Sequence, residues 1–169
     1  MNDFSIEEVR VEDAAPLLDF IVAATGETPF LRFFPDEINM SVGQEQDFIR
    51  KFILHENSRM LVARIEGKIA GTASIEGSPL RKFSHRGELG IAVLRDYWGR
   101  GLGRRLMHEL LQWAMASPGL NKINLHVNIE NEAAIQLYLA CGFKIEGRLS
   151  RDFHYDDRYI DTLIMGIEV

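Results

Sequence analysis

An apolar run leads through alternating glycines into an amphipathic segment in the sequence Ile91-Ala-Val-Leu-Arg-Asp-Tyr-Trp-Gly-Arg-Gly-Leu-Gly-Arg104. Glycine adopts backbone conformations that are closed to other residues, and it lets an anion approach the main-chain N–H groups. The positive end of the following helix dipole adds to this attraction. The segment therefore predicts a strand, a phosphate-binding loop and a helix in that order.

The spacing of the glycines excludes two common phosphate loops. The lysine and the Ser/Thr of a Walker loop are missing, and the glycines at 99, 101 and 103 fall at every second position instead of following G-x-G-x-x-G. A mononucleotide phosphate loop and a dinucleotide-binding fold are therefore both disfavoured, as is a generic ATP- or NAD-binding domain.

Residues 86–145 resemble the GNAT superfamily of acetyl-CoA-dependent N-acetyltransferases. The family signature Gln/Arg-x-x-Gly-x-Gly/Ala corresponds to Trp98-Gly-Arg-Gly-Leu-Gly103, in which both glycines are present and Trp98 replaces the leading Gln/Arg. A second family element, N-x-x-A-x-x-x-Y-x-x-x-G-F, corresponds to the run from Asn131 to Phe143. The resemblance covers the second half of the chain well and the first half only in its order of elements.

The resemblance implies one N-acetyltransferase domain over residues 1–169 with an α/β (α+β) mixed sheet. This sheet is mostly antiparallel, has a splayed central strand pair, and carries helices on both faces. Alternation, helical spacing and turn residues indicate the same order, β-α-α-β-β-β-α-β-α-β-β. The predicted segments are strands 4–11, 59–66, 68–76, 85–94, 121–129, 142–149 and 159–168, and helices 14–24 (capped by Asp13), 44–55, 103–116 and 131–140, with a final hairpin turn at 156–157.

Composition narrows the class of protein further. A length of 169 residues fits one domain, and no apolar run approaches the roughly 18 residues that span a bilayer. The first residues lack the pattern of a signal peptide, so we expect a cytoplasmic protein that does not bind membranes. One cysteine and five histidines without ligand spacing predict no disulfide and no metal site. The net charge of −6 disfavours nucleic acid as a partner and suits a cationic acceptor.

By the resemblance, the pantetheine arm of acetyl-CoA lies between the splayed strands 85–94 and 122–129. The strand backbone at 91–93 holds the arm and polarises the thioester carbonyl, while loop N–H groups hold the pyrophosphate. Arg100, Arg104 and Arg105 either add positive charge there or are simply solvated. The predicted cofactor-binding residues are Ile91, Ala92, Val93, Trp98, Gly99, Arg100, Gly101, Leu102, Gly103, Arg104, Asn131 and Tyr138.

Transfer requires an acid for the departing thiolate, and the resemblance gives this role to Tyr138. The alternative for Tyr138 is a core aromatic, because it belongs to a helical stripe with Ala134, Leu137 and Cys141. Asn131 has two compatible roles, as the N-cap of its helix and as a contact to the cofactor arm.

Transfer also requires a neutral amine, and an unperturbed alkyl amine has a pKa of about 10. His126 is one candidate base, since relatives that acetylate protein N-termini place a glutamate on this strand and an imidazole can take up a proton near neutral pH. Glu88 is the second candidate, because other branches of the family place a base on its strand. Alternation alone does not show which face His126 occupies, and water relaying the proton to a distant carboxylate is a third possibility.

The acceptor is expected to depend on the 26–40 loop and the 150–160 hairpin. Six acids there form a candidate acidic mouth or are solvated loop charges: Glu27, Asp36, Glu37, Asp152, Asp156 and Asp157. The C-terminal hairpin resembles a branch that acetylates ribosomal-protein N-termini, polyamines and small amines, which implies a primary amine acceptor and a direct ternary-complex transfer. The alternative function is an acyl-CoA-binding sensor without transfer, and a homodimer is a candidate assembly.

Overall fold

The computed structural model describes residues 4–169. The strands are β1 Ser5–Glu8, β2 Arg59–Ile65, β3 Lys68–Gly77, β4 Arg86–Val93, β5 Lys122–Asn128, β6 Lys144–Tyr155 and β7 Arg158–Glu168. The helices are α1 Ala14–Glu27, α2 Val42–Leu54, α3 Leu102–Ala116 and α4 Glu132–Ala140, and short 3-10 turns lie at Val11–Asp13, Pro35–Glu37, Arg81–Phe83 and Arg95–Tyr97. This is the predicted order of elements.

The strands form one sheet in the order β1-β2-β3-β4-β5-β7-β6, and every neighbouring pair is antiparallel except β4–β5. The parallel pair is short, because only residues 86–88 of β4 lie opposite residues 122–124 of β5. Beyond that point the two strands diverge while each keeps its outer partner. The predicted mixed sheet with a splayed central pair is confirmed.

The two faces of the sheet bury separate cores. On one face α3 and α4 pack against alternate residues of the central strands, with Leu106, Leu110 and Ile123 fully buried. On the other face α1 and α2 supply Leu17 and Ile49 to a smaller core. Helices therefore cover both faces, as predicted, and within residues 4–169 none is long and apolar enough to cross a membrane.

Asp13 is the N-cap residue of α1, as predicted, but its side chain does not cap the helix. Asp13 precedes the helix, but it is the last residue of a 3-10 turn, and its carboxylate does not bond to an amide of α1. One carboxylate oxygen instead accepts the Arg10 N–H at 2.9 Å, and the other bonds to the Arg64 guanidinium. Strand β1 is correspondingly shorter than predicted, because the turn takes up Val11.

The C-terminal hairpin is longer than predicted. Strand β6 runs to Tyr155, well past the predicted end at Leu149, and pairs with β7 across the expected turn, where Asp156 and Asp157 have φ of 53° and 56°. A bulge separates the pair Leu149–Thr162 from the next pair in this hairpin. The polar residues of the bulge disguise the strand in the sequence.

Candidate active site

The gap between β4 and β5 exposes one edge of β4. Just before β4, the His85 carbonyl accepts the Lys122 N–H at 3.2 Å, on the side of β5. Just after β4, the Leu94 N–H donates to the Ala70 carbonyl at 3.0 Å, on the side of β3. Backbone groups alternate in direction along a strand. Odd-numbered residues of β4 therefore turn their N–H and carbonyl groups toward β5, and even-numbered residues turn theirs toward β3.

This alternation sorts the residues predicted to hold the pantetheine arm. Ile91 and Val93 present their backbone groups to the gap, whereas those of Ala92 face β3, with which Ala92 pairs at Thr72. A ligand that lies in the gap can therefore pair with β4 as an additional strand, through Ile91 and Val93.

The phosphate loop has the open backbone that its glycines predict. Gly99 and Gly101 have φ of 71° and 82°, and a Cβ at either position would meet no atom within 4 Å. Gly101 is the N-cap of α3, and no side chain within residues 4–169 caps this helix, unlike α2 and α4, which Ser41 and Asn131 cap. The first-turn amides of α3 therefore remain available to an anion.

Two predicted cofactor residues at the start of α3, Leu102 and Gly103, offer only backbone groups to a ligand. The side chain of Leu102 is buried in the core, and Gly103 leaves room for Leu137, whose Cδ2 lies 3.6 Å from the position of an added Cβ. Arg105, a candidate source of positive charge for the loop, donates along the helix to Glu109 at 2.8 Å.

Arg100 and Arg104 lie at the same end of α3. The Arg100 guanidinium is 5.5 Å from the centre of the Tyr97 ring, a cation–π contact at the loop. The positive charge of Arg104 lowers the pKa of the Cys141 thiol, although burial has the larger, opposite effect and leaves that pKa raised. The charge of Arg104 is therefore felt at Cys141, which is the C-cap residue of α4 and follows Tyr138 by three positions.

Trp98, the departure from the family signature, ties the loop to β4. Its indole N–H donates to the Val93 carbonyl at 2.6 Å, and the Arg95 guanidinium lies 5.6 Å from its ring centre. The Val93 carbonyl faces the gap, so Trp98 already occupies one acceptor at the rim of the cofactor site. The tryptophan thus fixes the loop from the protein side.

The two candidate bases form one pair. Glu88 lies directly opposite Asn124, and His126 follows two residues later on β5, so all three side chains share a face of the sheet. His126 Nδ1 is 3.3 Å from Glu88 Oε1. Arg32, from the loop after α1, places a guanidinium nitrogen 3.7 Å from the same oxygen. The interstrand register, which the sequence does not reveal, is what brings His126 to Glu88.

Tyr138 is both a core aromatic and a lining residue of the cleft. Its ring packs against Phe143 with centroids 5.9 Å apart, and the residue is 6% exposed. Burial, with a smaller contribution from Cys141, raises the pKa of the Tyr138 hydroxyl to about 12. Asn131 lines the same cleft, and its side-chain oxygen caps α4 by accepting the Ala134 N–H at 3.2 Å.

A cleft of about 1310 Å³ connects these groups, and both predicted acceptor segments border it. Residues 28–35 of the α1–α2 loop line one side and residues 152–155 of the hairpin line the other. Phe34 and Tyr155 stack across the mouth, with ring centroids 5.8 Å apart and planes 15° from parallel. The cleft is thus enclosed by the two segments that the sequence indicated.

The acidic mouth differs from its predicted membership. Of the six predicted acids only Glu27 and Asp152 line the cleft, and Glu27 already accepts the Arg95 N–H at 2.7 Å. A further acid, Glu76, was not predicted, although it lines the cleft and lies opposite Glu88 in the β3–β4 register.

Two buried polar residues of the cleft were also missed. Asn128 and Thr162 are 5% and 3% exposed, and both line the cleft. Asn128 continues the polar phase of the alternating strand Lys122–Asn128 and so carried no signal of burial, whereas Thr162 lies next to the apolar run 163–165 of β7. Across residues 4–169, no group of three or more His, Cys, Asp and Glu side chains is placed to hold a metal ion.

Comparison with known proteins agrees with this geometry. Residues 28–143 match the model of the acetyltransferase (GNAT) family. The chain belongs to this family. A GNAT acetyltransferase from Streptococcus pneumoniae, known from its crystal structure, is 33% identical and superposes with a TM-score of 0.96, covering 99% of this chain and 100% of that one.

Two GNAT relatives with named acceptors are also similar. A spermidine N(1)-acetyltransferase from Vibrio cholerae is 28% identical over 152 residues, which are 89% of this chain and 86% of the relative. An L-amino acid N-acetyltransferase from Escherichia coli is 30% identical over 108 residues, which are 64% of this chain and 67% of the relative. Both names describe transferases, so they give no support to the alternative of a sensor.

Membership of the GNAT family makes the chain an acetyl-CoA-dependent N-acetyltransferase, as the two sequence motifs indicated. The site fits acetyl-CoA as the cosubstrate. A free strand edge suits the amides of the pantetheine arm, and uncapped amides at the start of α3 suit the pyrophosphate.

Proposed function

We propose that this protein transfers an acetyl group from acetyl-CoA to a primary amine of a small molecule or of a peptide N-terminus. Transfer takes place directly within a ternary complex. The observation that carries the proposal is the pairing of Glu88 with His126 in the cleft that also contains Tyr138. The Glu88–His126 pair can act as the base and Tyr138 as the acid. Together in one cleft they match the two proton transfers that the reaction needs.

The backbone N–H and carbonyl of Ile91 and the N–H of Val93 hold the cofactor arm, since the Val93 carbonyl already accepts the Trp98 indole N–H. The amides from Gly99 to Arg104 hold the pyrophosphate. The gap-facing edge of β4 and the open, uncapped start of α3 support these roles. The backbone of Ala92 faces β3, so Ala92 does not pair with the cofactor arm and contributes only as the residue that joins Ile91 and Val93. Trp98 contributes by fixing the loop to Val93.

Glu88 and His126 act together as the general base. Glu88 accepts the Nδ1–H of His126, which leaves Nε2 as the basic nitrogen that takes the proton from the acceptor ammonium. The neutral amine nitrogen then attacks the thioester carbonyl carbon, and the carbon–sulfur bond breaks as the amide forms. A contact of 3.3 Å is long for a hydrogen bond, but catalytic pairs often shorten when substrate binds.

Tyr138 supplies the proton to the departing thiolate. Because burial raises its pKa to about 12, the hydroxyl keeps its proton throughout the neutral pH range. The ring packs against Phe143, which holds the hydroxyl in a fixed position at the cleft.

Cys141 is a poor nucleophile, which favours direct transfer over an acyl-enzyme. Burial raises the pKa of its thiol, and this effect outweighs the opposing charge of Arg104. A thiol must lose its proton to attack a thioester. Cys141 therefore stays protonated near neutral pH and contributes no covalent step.

The charges of the cleft favour an acceptor with a second positive group, such as a polyamine. Glu76 and Glu88 lie opposite each other on neighbouring strands, and Asp152 lies across the cleft on the hairpin. Like charges directly opposite in a sheet repel, so a bound cation relieves the pair. The relative named as a spermidine N(1)-acetyltransferase is consistent with this class.

An L-amino acid is the second candidate acceptor, because Arg32 extends a guanidinium into the cleft beside Glu88. A guanidinium binds a carboxylate through two parallel hydrogen bonds. The relative named as an L-amino acid N-acetyltransferase is consistent with this alternative.

The test is release of free thiol from acetyl-CoA in the presence of polyamines, amino acids, aminoglycosides and N-terminal peptides. We expect saturable release with a polyamine and a lower kcat/KM for the matched monoamine. The variant Arg32→Gln separates the candidates, since it leaves polyamine turnover in place but abolishes turnover of an amino acid. Tight acetyl-CoA binding without release on any amine would overturn the proposed function.

A further inference from the structure

We propose that Glu27 and Arg95 are positioning residues that couple the cofactor loop to the acceptor loop. Glu27 is the last residue of α1, and the loop that borders the acceptor cleft begins immediately after it. Arg95 begins the turn that leads from β4 into the phosphate loop. The inference rests on the proposed function only in taking coenzyme A as the ligand of that loop.

Two hydrogen bonds join Glu27 and Arg95 across 68 positions of the sequence. The Glu27 carboxylate accepts the backbone N–H of Arg95 at 2.7 Å, and the Arg95 guanidinium donates to the Glu27 carbonyl. Each residue thus uses both its main chain and its side chain. These two hydrogen bonds fix Glu27, the last residue before the acceptor loop, to the turn after β4.

The same guanidinium continues the connection toward the cofactor. It lies 5.6 Å from the ring centre of Trp98, whose indole N–H donates to the Val93 carbonyl at 2.6 Å. Val93 belongs to the gap-facing edge of β4, and Trp98 precedes Gly99 at the start of the phosphate loop. The chain of contacts therefore runs from the acceptor loop to both cofactor-binding elements.

Because Arg95 and Trp98 are exposed, we infer that their contacts couple the two loops and add little to the stability of the fold. Arg95 and Trp98 are exposed, so bulk water is available to their polar groups, and exposed charged contacts add little to folding stability. The effect of these contacts is instead to fix the position of the phosphate loop relative to the acceptor loop. A ligand that orders residues 98–104 also orders Arg95, and Arg95 then holds Glu27 and the loop behind it. By linkage, an acceptor that orders the loop strengthens cofactor binding to the same extent.

The experiment is hydrogen–deuterium exchange with coenzyme A alone, which needs neither turnover nor a known acceptor. In the wild-type protein, we expect coenzyme A to slow exchange at residues 99–105 and also at residues 28–38. The effect at residues 28–38 should be about fivefold or more, the lower end of ordinary coupling between two sites. In Glu27→Ala and Arg95→Ala, each of which removes one of the two hydrogen bonds, the slowing at 99–105 remains and the slowing at 28–38 is reduced. In the double variant, which removes both bonds, the slowing at 28–38 is lost.

Two further variants control this result. Glu27→Gln keeps an oxygen that can accept the Arg95 N–H, so it should retain part of the coupling. Arg50→Ala breaks an exposed ion pair with Asp47 on α2 and should behave as the wild type. Thermal melting of each variant checks that the fold is intact.

The outcomes separate this inference from the proposed function. Protection of 99–105 without protection of 28–38 in the wild type would overturn the coupling and leave the cofactor site in place. Coupling of wild-type size in the double alanine variant would overturn the roles of Glu27 and Arg95. Absence of protection at 99–105 would overturn the proposed cofactor site and this inference with it.

Discussion

Replacing Gly101 with alanine tests whether the phosphate loop needs its left-handed backbone. Gly101 has φ of 82° and ψ of 0°, and it is the N-cap of α3. An added Cβ would meet no neighbouring atom within 4 Å, so the substitution creates no clash with the rest of the protein. The whole effect of Gly101→Ala therefore arises from the backbone conformation.

The left-handed conformation costs an L-residue about 1–2 kcal/mol. If the loop keeps its shape, the protein loses this free energy of unfolding, which lowers the melting temperature by about 2–8 °C for a domain of this size. If the loop relaxes, the amides leave their positions and acetyl-CoA binding weakens by about 5- to 30-fold. We expect a result between these two limits, with loss of affinity and loss of stability inversely related.

Isothermal titration with coenzyme A and thermal melting measure both limits on the same samples. Gly101→Asn should show smaller losses than Gly101→Ala, because asparagine enters the left-handed region more readily. Gly43→Ala is the control. Gly43 lies in α2, and an added Cβ there would be 3.9 Å from Ser41 Oγ, which is an ordinary contact. This variant should be more stable than the wild type and should bind coenzyme A with unchanged affinity. Unchanged affinity and unchanged stability in Gly101→Ala would refute the reasoning.

Three further changes test other parts of the site. Tyr138→Phe should lower kcat by about 100-fold and leave the coenzyme A Kd unchanged, and wild-type kcat should show no descending limb below pH 10.5, since the pKa of Tyr138 is about 12; equal kcat in the variant would remove Tyr138 as the acid. Phe34→Ala removes the stacking on Tyr155 and should raise the acceptor KM by up to about tenfold, with the acetyl-CoA KM unchanged as the check on specificity. Burial raises the pKa of Glu45, so its contribution to stability is present below the pKa of the unfolded chain and is lost as pH rises through the folded value. The melting temperature of the wild type relative to Glu45→Gln should therefore fall as the pH rises above the ordinary glutamate pKa of 4.5, and a constant difference would contradict the burial of an ionising carboxylate.

The order of the elements was predictable because each element carries its own local signal, whereas the mixed sheet with its splayed central pair was implied by the family resemblance. Gly67 and the Asp156–Asp157 pair mark the two tight hairpins, and all three residues have positive φ in the structure. The glycines of the phosphate loop and the capping Asn131 were identifiable for the same reason. Each feature depends on residues close together in the sequence.

Features that depend on distant pairing were not predictable. The face of His126 follows from the opposition of Glu88 and Asn124, which are 36 positions apart and belong to strands joined through α3. Asp13 forms its ion pair with Arg64 on β2, which draws its carboxylate away from the helix that it was predicted to cap. Local propensity cannot register either interaction, because the partner is supplied by the tertiary fold.

The role of the Glu88–His126 pair is tested most directly by the pH dependence of kcat/KM for an accepted amine in Glu88→Gln and His126→Gln. At pH 7 only about one in a thousand alkyl amines is neutral, and a general base contributes about 100-fold or more. Both variants should therefore be about 100-fold slower than the wild type at pH 7, and the deficit should shrink toward pH 10 as the amine loses its proton unaided. A deficit of the same size at every pH would contradict a role for the pair in removing that proton.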